Sequence, residues 1–140
     1  MVMCARTMAS LGRRIPPYAA AIAAGAVVGL GTDNVMMSSP DLLAEVDFLG
    51  RSVRSVNADP AVLDARTLLA SLTIDGARTL QLDDVLGSLS VGKSASIVAF
   101  DMTSANLAFS VNPIASLIER ATSADIRAVI VDGRLVQGAL

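Results

Sequence analysis

One customary side chain is missing from the chemistry available to this chain of 140 residues: it contains no histidine. Imidazole does most general acid–base work near neutral pH and is a common zinc ligand. Without it, neither a Ser-His-Asp triad nor an H-E-x-x-H site exists within these residues. Carboxylates carry what remains. Asp33 lies in the polar turn Gly31-Thr32-Asp33-Asn34, which closes an apolar run where a strand would end. A second pattern, Gly87-Ser88-Leu89-Ser90-Val91-Gly92-Lys93-Ser94, fits the phosphate-loop consensus G-x-x-x-x-G-K-[ST] at every specified position. Such a loop needs a strand entering and a helix leaving, so that amides face the phosphates. Here residues 81–86 carry Asp83 and Asp84 and make a poor buried strand, and a strand pattern follows Ser94. Asp101, offered as the magnesium carboxylate, lies on that same strand with no crossover between. The match is read as accidental, with Lys93 stabilising a turn. The lone Cys4 excludes a disulfide framework and reads as a small apolar residue rather than a nucleophile or ligand.

The elements that must position these residues follow from pattern. Arg13-Arg14 and the apolar run from Tyr18 to Leu30 have the length of an export signal, too short to span a bilayer. Pro16, Pro17 and Gly25 interrupt it and no A-x-A-like site follows, so a helix over residues 17–24 and a buried strand over 26–31 are expected instead. Ser39-Pro40 starts a helix over 41–56, with Leu42, Leu43, Val46, Leu49 and Val53 on one face and Glu45, Arg51 and Arg54 elsewhere on the circumference. Asp59-Pro60 repeats the start signal for a helix through Leu72, and residues 74–82 read as a third. Residues 96–101 are strand-like, and Asn112-Pro113 opens a helix through Ala121. Asp132-Gly133 between apolar runs predicts a terminal hairpin. The expected order is helix, strand, three helices, strand, helix, hairpin.

Composition narrows the classes. Hydrophobic residues make up 53% and charged ones 17%, with mean hydropathy +0.59, which excludes a disordered polyelectrolyte. A net charge of −2 and 3% aromatic residues give no reason to expect nucleic acid. The length suits about one domain. A cytoplasmic chain with no membrane partner is expected.

Three blocks point to a family. They are residues 28–34 (V-G-L-G-T-D-N), residues 87–101 (G-S-L-x-V-G-K-x-A-x-I-V-x-F-D) and residues 129–136 (V-x-V-x-G-R-x-V). In this order and separation they resemble the C-terminal part of the amidohydrolase superfamily, in its cytosine deaminase-like and chlorohydrolase-like branches. Residues 67–82 resemble the helix pair between barrel and tail. Cys4-Ala5-Arg6-Thr7 is similar to the segment after the seventh barrel strand, with Ala5 where proline is usual.

The resemblance implies an α/β chain: the last strand–helix portion of a (β/α)8 barrel in residues 1–82, and β-sandwich tail strands in 83–140. It implies a hydrolase of C–N or C–Cl bonds in small heterocyclic substrates, and a divalent metal, zinc or iron. Asp33 matches the eighth-strand aspartate that holds the metal and moves a proton. A carboxylate just past the C-terminal end of a barrel strand does lie on the catalytic face. Thr32-Asp33-Asn34 is equally good turn chemistry, and Met36 and Met37 read as substrate contacts or as gap-fillers.

A barrel needs about 250 residues, and the histidine ligands would lie outside these 140. Ser94-Ala95-Ser96 also departs from the family's residue–Ala–Asp. A fragment inactive alone is therefore expected. The alternatives are a non-catalytic partner that docks to an N-terminal barrel half, or a small exported protein using residues 13–30 as its signal. Unpaired edges and apolar surface predict self-association.

Overall fold

The computed structural model describes residues 1–139. Two short strands, β1 (Val2–Met3) and β2 (Gly29–Leu30), pair in parallel, with Val2 opposite Gly29 and Met3 opposite Leu30. Gly29 N–H donates to the Met1 carbonyl and Gly31 N–H to that of Met3, both at 3.0 Å. The apolar run expected as a strand over 26–31 is thus ladder-paired at only two of its residues. Helices α1 (Ala5–Ser10) and α2 (Tyr18–Ala23) make the connection between the strands. Pro17 precedes α2 and Gly25, at φ +80°, follows it. Residues 13–30, the stretch with the length of an export signal, are built into the core through the fully buried Tyr18 and Val28.

After β2 come α3 (Leu42–Asn57), α4 (Ala65–Leu72) and α5 (Ile74–Thr79). The cap of α3 is Asp41, not Ser39: its Oδ1 accepts from the Leu43 and Ala44 amides at 2.9 and 3.2 Å. The next helix starts later than Asp59-Pro60 predicts. Asp59 Oδ1 accepts from the Ala61 amide two residues on, a local turn that uses up its capping capacity. Asp64 then caps α4 through the Thr67 amide at 2.7 Å.

The second sheet is antiparallel, with β3 (Ile97–Phe100), β4 (Ile126–Val131) and β5 (Arg134–Gly138) in sequence order. Asp132 and Gly133 turn between β4 and β5 at φ +50° and +79°, the pair of left-handed residues that a two-residue hairpin demands. Between β3 and β4, α6 (Pro113–Arg120) is capped by Asn112, whose Oδ1 accepts from the Ala115 amide. This helix packs on α3 and α4. The Arg54 guanidinium meets Glu119 at 2.9 Å across that contact.

Among the described residues one buried cluster gathers Met3, Tyr18, Val46, Leu49, Leu68 and Ile118 with four more apolar residues. Within it the Tyr18 hydroxyl and Ser71 Oγ share a hydrogen bond of 2.6 Å, so neither polar group is left bare. Helix α5 lies hard against β2. A Cβ added to Gly29 would stand 2.8 Å from Thr79 Oγ1 and 2.9 Å from the Gly76 Cα, so only glycine permits that approach.

Candidate functional site

Because β1 and β2 run parallel, their outgoing loops leave the same edge. One begins at Cys4 and the other reaches Asp33, three residues past the end of β2. Asp33 is exposed and left-handed at φ +53°, a conformation that aspartate tolerates better than most residues. The Thr7 hydroxyl donates to the Thr32 carbonyl at 3.2 Å, so the helix after β1 grips the residue before Asp33. The Cys4 thiol lies against the same backbone, its sulfur 3.3 Å from where a Gly31 Cβ would be.

Burial pushes the Cys4 thiol pKa up, and the charges of Asp33 and Glu45 push it further. A thiol held protonated in this way is neither a ready nucleophile nor a ready metal ligand.

Glu45 is the residue that pattern reading misplaces. Expected off the apolar face of α3, elsewhere on its circumference, it is fully buried. Its Oε1 accepts the Arg6 amide at 3.1 Å, while Oε2 has no partner. Burial raises its pKa, opposed by the amides of Arg6 and Ala5 and then by the Arg6 guanidinium. That guanidinium runs on to the carbonyls of Ser39 and Asp41 at 3.3 and 3.4 Å. The signal was present in the sequence. Glu45 stands three residues after Leu42 and four before Leu49, on the apolar side of the wheel.

The other candidates lie apart from Asp33 in role. Met36 is 85% exposed and Met37 is partly so. Lys93 directs its ammonium at the carbonyls of Asp83 and Leu86, the latter at 3.2 Å, closing the turn that precedes it. A cation committed to two carbonyls is not presented to a phosphate. Of the grooves among the described residues, two of about 890 and 580 Å³ are lined by neither Cys4, Asp33 nor Glu45. Among the described residues no group of three or more Cys, Asp or Glu side chains is placed to hold a metal ion. Catalytic zinc takes about three protein ligands. The residues present therefore do not make a metal centre, and Asp33 offers one carboxylate toward one.

Comparison with known proteins supplies the frame. The profile of the Amidohydrolase family matches residues 1–136. The chain belongs to that family. It is 34% identical over 127 residues to a 5-methylthioadenosine/S-adenosylhomocysteine deaminase of Syntrophobacter fumaroxidans, covering 90% of this chain and 29% of the relative. An S-triazine hydrolase of Gordonia rubripertincta is 29% identical over 127 residues, with 90% and 27% covered. Among solved structures, a zinc-bound adenosine deaminase from Xanthomonas campestris superposes with TM-score 0.94 at 27% identity, over 98% of this chain and 31% of that one. An atrazine chlorohydrolase from Arthrobacter aurescens TC1, complexed with zinc, shares the fold at TM-score 0.90. This amidohydrolase chain spans about three-tenths of the length of the relatives it matches. Its mixed α/β fold is that of the matching part of those proteins, and these relatives are deaminases and hydrolases. Among the described residues no helix is long and apolar enough to cross a membrane.

Proposed function

We propose that this chain is the C-terminal portion of a cytoplasmic metal-dependent hydrolase that removes an amino group, or a chloride, from a small heterocyclic substrate. In this reading β2 is the eighth strand of a (β/α)8 barrel, residues 1–82 close the barrel, and residues 83–140 form the tail of a small β-sandwich. The observation that carries it is the place of Asp33: just beyond a parallel strand, at the edge where barrel enzymes keep their chemistry. Its carboxylate would be one ligand to a zinc or iron whose histidines come from outside these residues. Its exposed oxygens are free to take a proton from the attacking water and return it to the departing amine. The deaminases among the relatives support a leaving amine over a leaving halide.

The test replaces the matching segment of the Xanthomonas adenosine deaminase with this chain. The hybrid is expected to deaminate, and Asp33→Asn within it to lose activity by about a hundredfold or more. An Asp33→Asn hybrid as active as its parent overturns the reading, as does ammonia release from amino-heterocycles by the 140-residue chain alone.

A second reading, a partner that completes a barrel with a separate N-terminal half, is favoured by the pairing of β1 and β2. Among the described residues each pairs only with the other, and parallel strands are normally flanked and covered. The same open edges favour self-association. Light scattering of the purified chain checks this, and a clean dilute monomer counts against it.

A further inference from the structure

Burying a carboxylate on the apolar side of a helix is costly unless its oxygens are engaged, and a leucine of similar volume would pack there without that cost. Glu45 is fully buried beside Val46 and Leu49, with one oxygen bonded across 39 residues of sequence and the other bare. The bond reaches the second residue of α1, whose capping residue Cys4 contributes no side-chain hydrogen bond of its own. The next residue along α1, Thr7, holds the Thr32 carbonyl, and Arg6 returns its side chain to Ser39 and Asp41 at the start of α3. The contacts make a closed circuit: α3 to the first turn of α1, that turn to the residue before Asp33, and the chain from Asp33 back to α3.

We propose that Glu45 is a positioning residue, which locks the first turn of α1 onto the loop after β2 and thereby sets where the Asp33 carboxylate stands. The proposal rests on the reading of Asp33 given above. It assigns Glu45 no contact with substrate and no proton of its own to transfer.

The test is amide hydrogen exchange by NMR on the intact chain, together with the Asp33 amide chemical shift. Glu45→Leu keeps volume and removes the acceptor. It is expected to speed exchange at Arg6 and residues 31–34 by about tenfold beyond any change elsewhere, the scale of one lost buried hydrogen bond, and to move the Asp33 shift. Glu45→Gln retains an acceptor oxygen and is expected to restore both readouts. Leu49→Ala, a core truncation on the same helix, is expected to speed all protected amides together. Glu45→Leu behaving like Leu49→Ala, or leaving residues 31–34 unchanged, overturns the proposal.

Should Glu45→Leu not fold, Thr7→Val cuts the circuit at its other joint. It is expected to loosen residues 31–34 while leaving the Arg6 amide protected, and no loosening there also overturns the proposal. The hybrid deaminase separates this result from the reading beneath it. Loosened loops with a fully active Asp33→Asn hybrid would keep the clasp and remove the function. Unchanged loops with an inactive Asp33→Asn hybrid would do the reverse.

Discussion

The helical part of this chain draws its buried cluster from β1, α1, α2, α3, α4 and α6, whereas the sheet β3–β4–β5 leaves every residue of β5 exposed. In the first, order comes from side chains that are far apart in sequence and meet in one core. In the second, it comes from a local turn and a ladder, with the small Ala128 the buried apolar residue of β4. The long-range part also holds Asp33. On the reading proposed for it, Asp33 is thus carried by the portion whose geometry is most over-determined.

The contrast can be broken most directly by equal truncations. Leu49→Ala in the core is expected to cost about 3 kcal/mol, and Leu135→Ala on the half-exposed β5 under about 1 kcal/mol. Thermal or urea unfolding measures both, and equal losses would erase the distinction.

Acid should pull the two regions in opposite directions. Asp125, at the foot of β4, is held far below the usual carboxylate range by hydrogen bonds from the Asn106 side chain and from the amide and hydroxyl of Thr122. Its contribution is complete above the unfolded pKa of about 3.9 and drains away as pH falls toward the lower folded value. Glu45 has a folded pKa raised by burial, so the folded state binds its proton more tightly than the unfolded state. Its contribution is greatest below the unfolded value of about 4.3 and is lost as pH rises through the folded one. Moving from pH 7 to pH 4.5 should therefore firm residues near Glu45, and further acidification should loosen the foot of β4. Asp125→Asn should flatten the second change. Exchange rates followed by region, corrected for the intrinsic pH dependence, read both.

The smallest effect is expected inside the helical part, at the surface of the contact between α3 and α6. The Arg54–Glu119 ion pair joins α3 to α6 with both side chains partly in solvent, so Arg54→Ala should change stability by no more than about 1 kcal/mol, and less in high salt. A larger, salt-independent loss would mean that the ion pair, not the core, holds α6 in place.

The same division governs what could be read from sequence. The hairpin was legible because Asp132-Gly133 encodes its own turn, and α6 because Asn112-Pro113 caps and starts it locally. The candidate position of Asp33 was legible because a turn motif follows an apolar run, although β2 proved to be only two residues long. The start of α4 was missed because Asp59 and Asp64 are equally good caps by composition, and the local turn to Ala61 decides between them. Glu45 was missed for a deeper reason. Its place on the wheel is apolar, but the amide that makes a buried charge tolerable there belongs to Arg6, 39 residues away, which no local pattern shows.

The close seat of α5 on β2 bears on how this site can drift over generations. Gly29 lies four residues before Asp33, pressed against Gly76 and Thr79. Any side chain gained at 29 would push the helix away, whereas one gained at 76 would meet the Ser71 carbonyl oxygen at 3.2 Å, within the helical region itself. The contact therefore acts as a mutational lock: a lineage released from selection for activity would still be held to glycine here for as long as it is held to this fold.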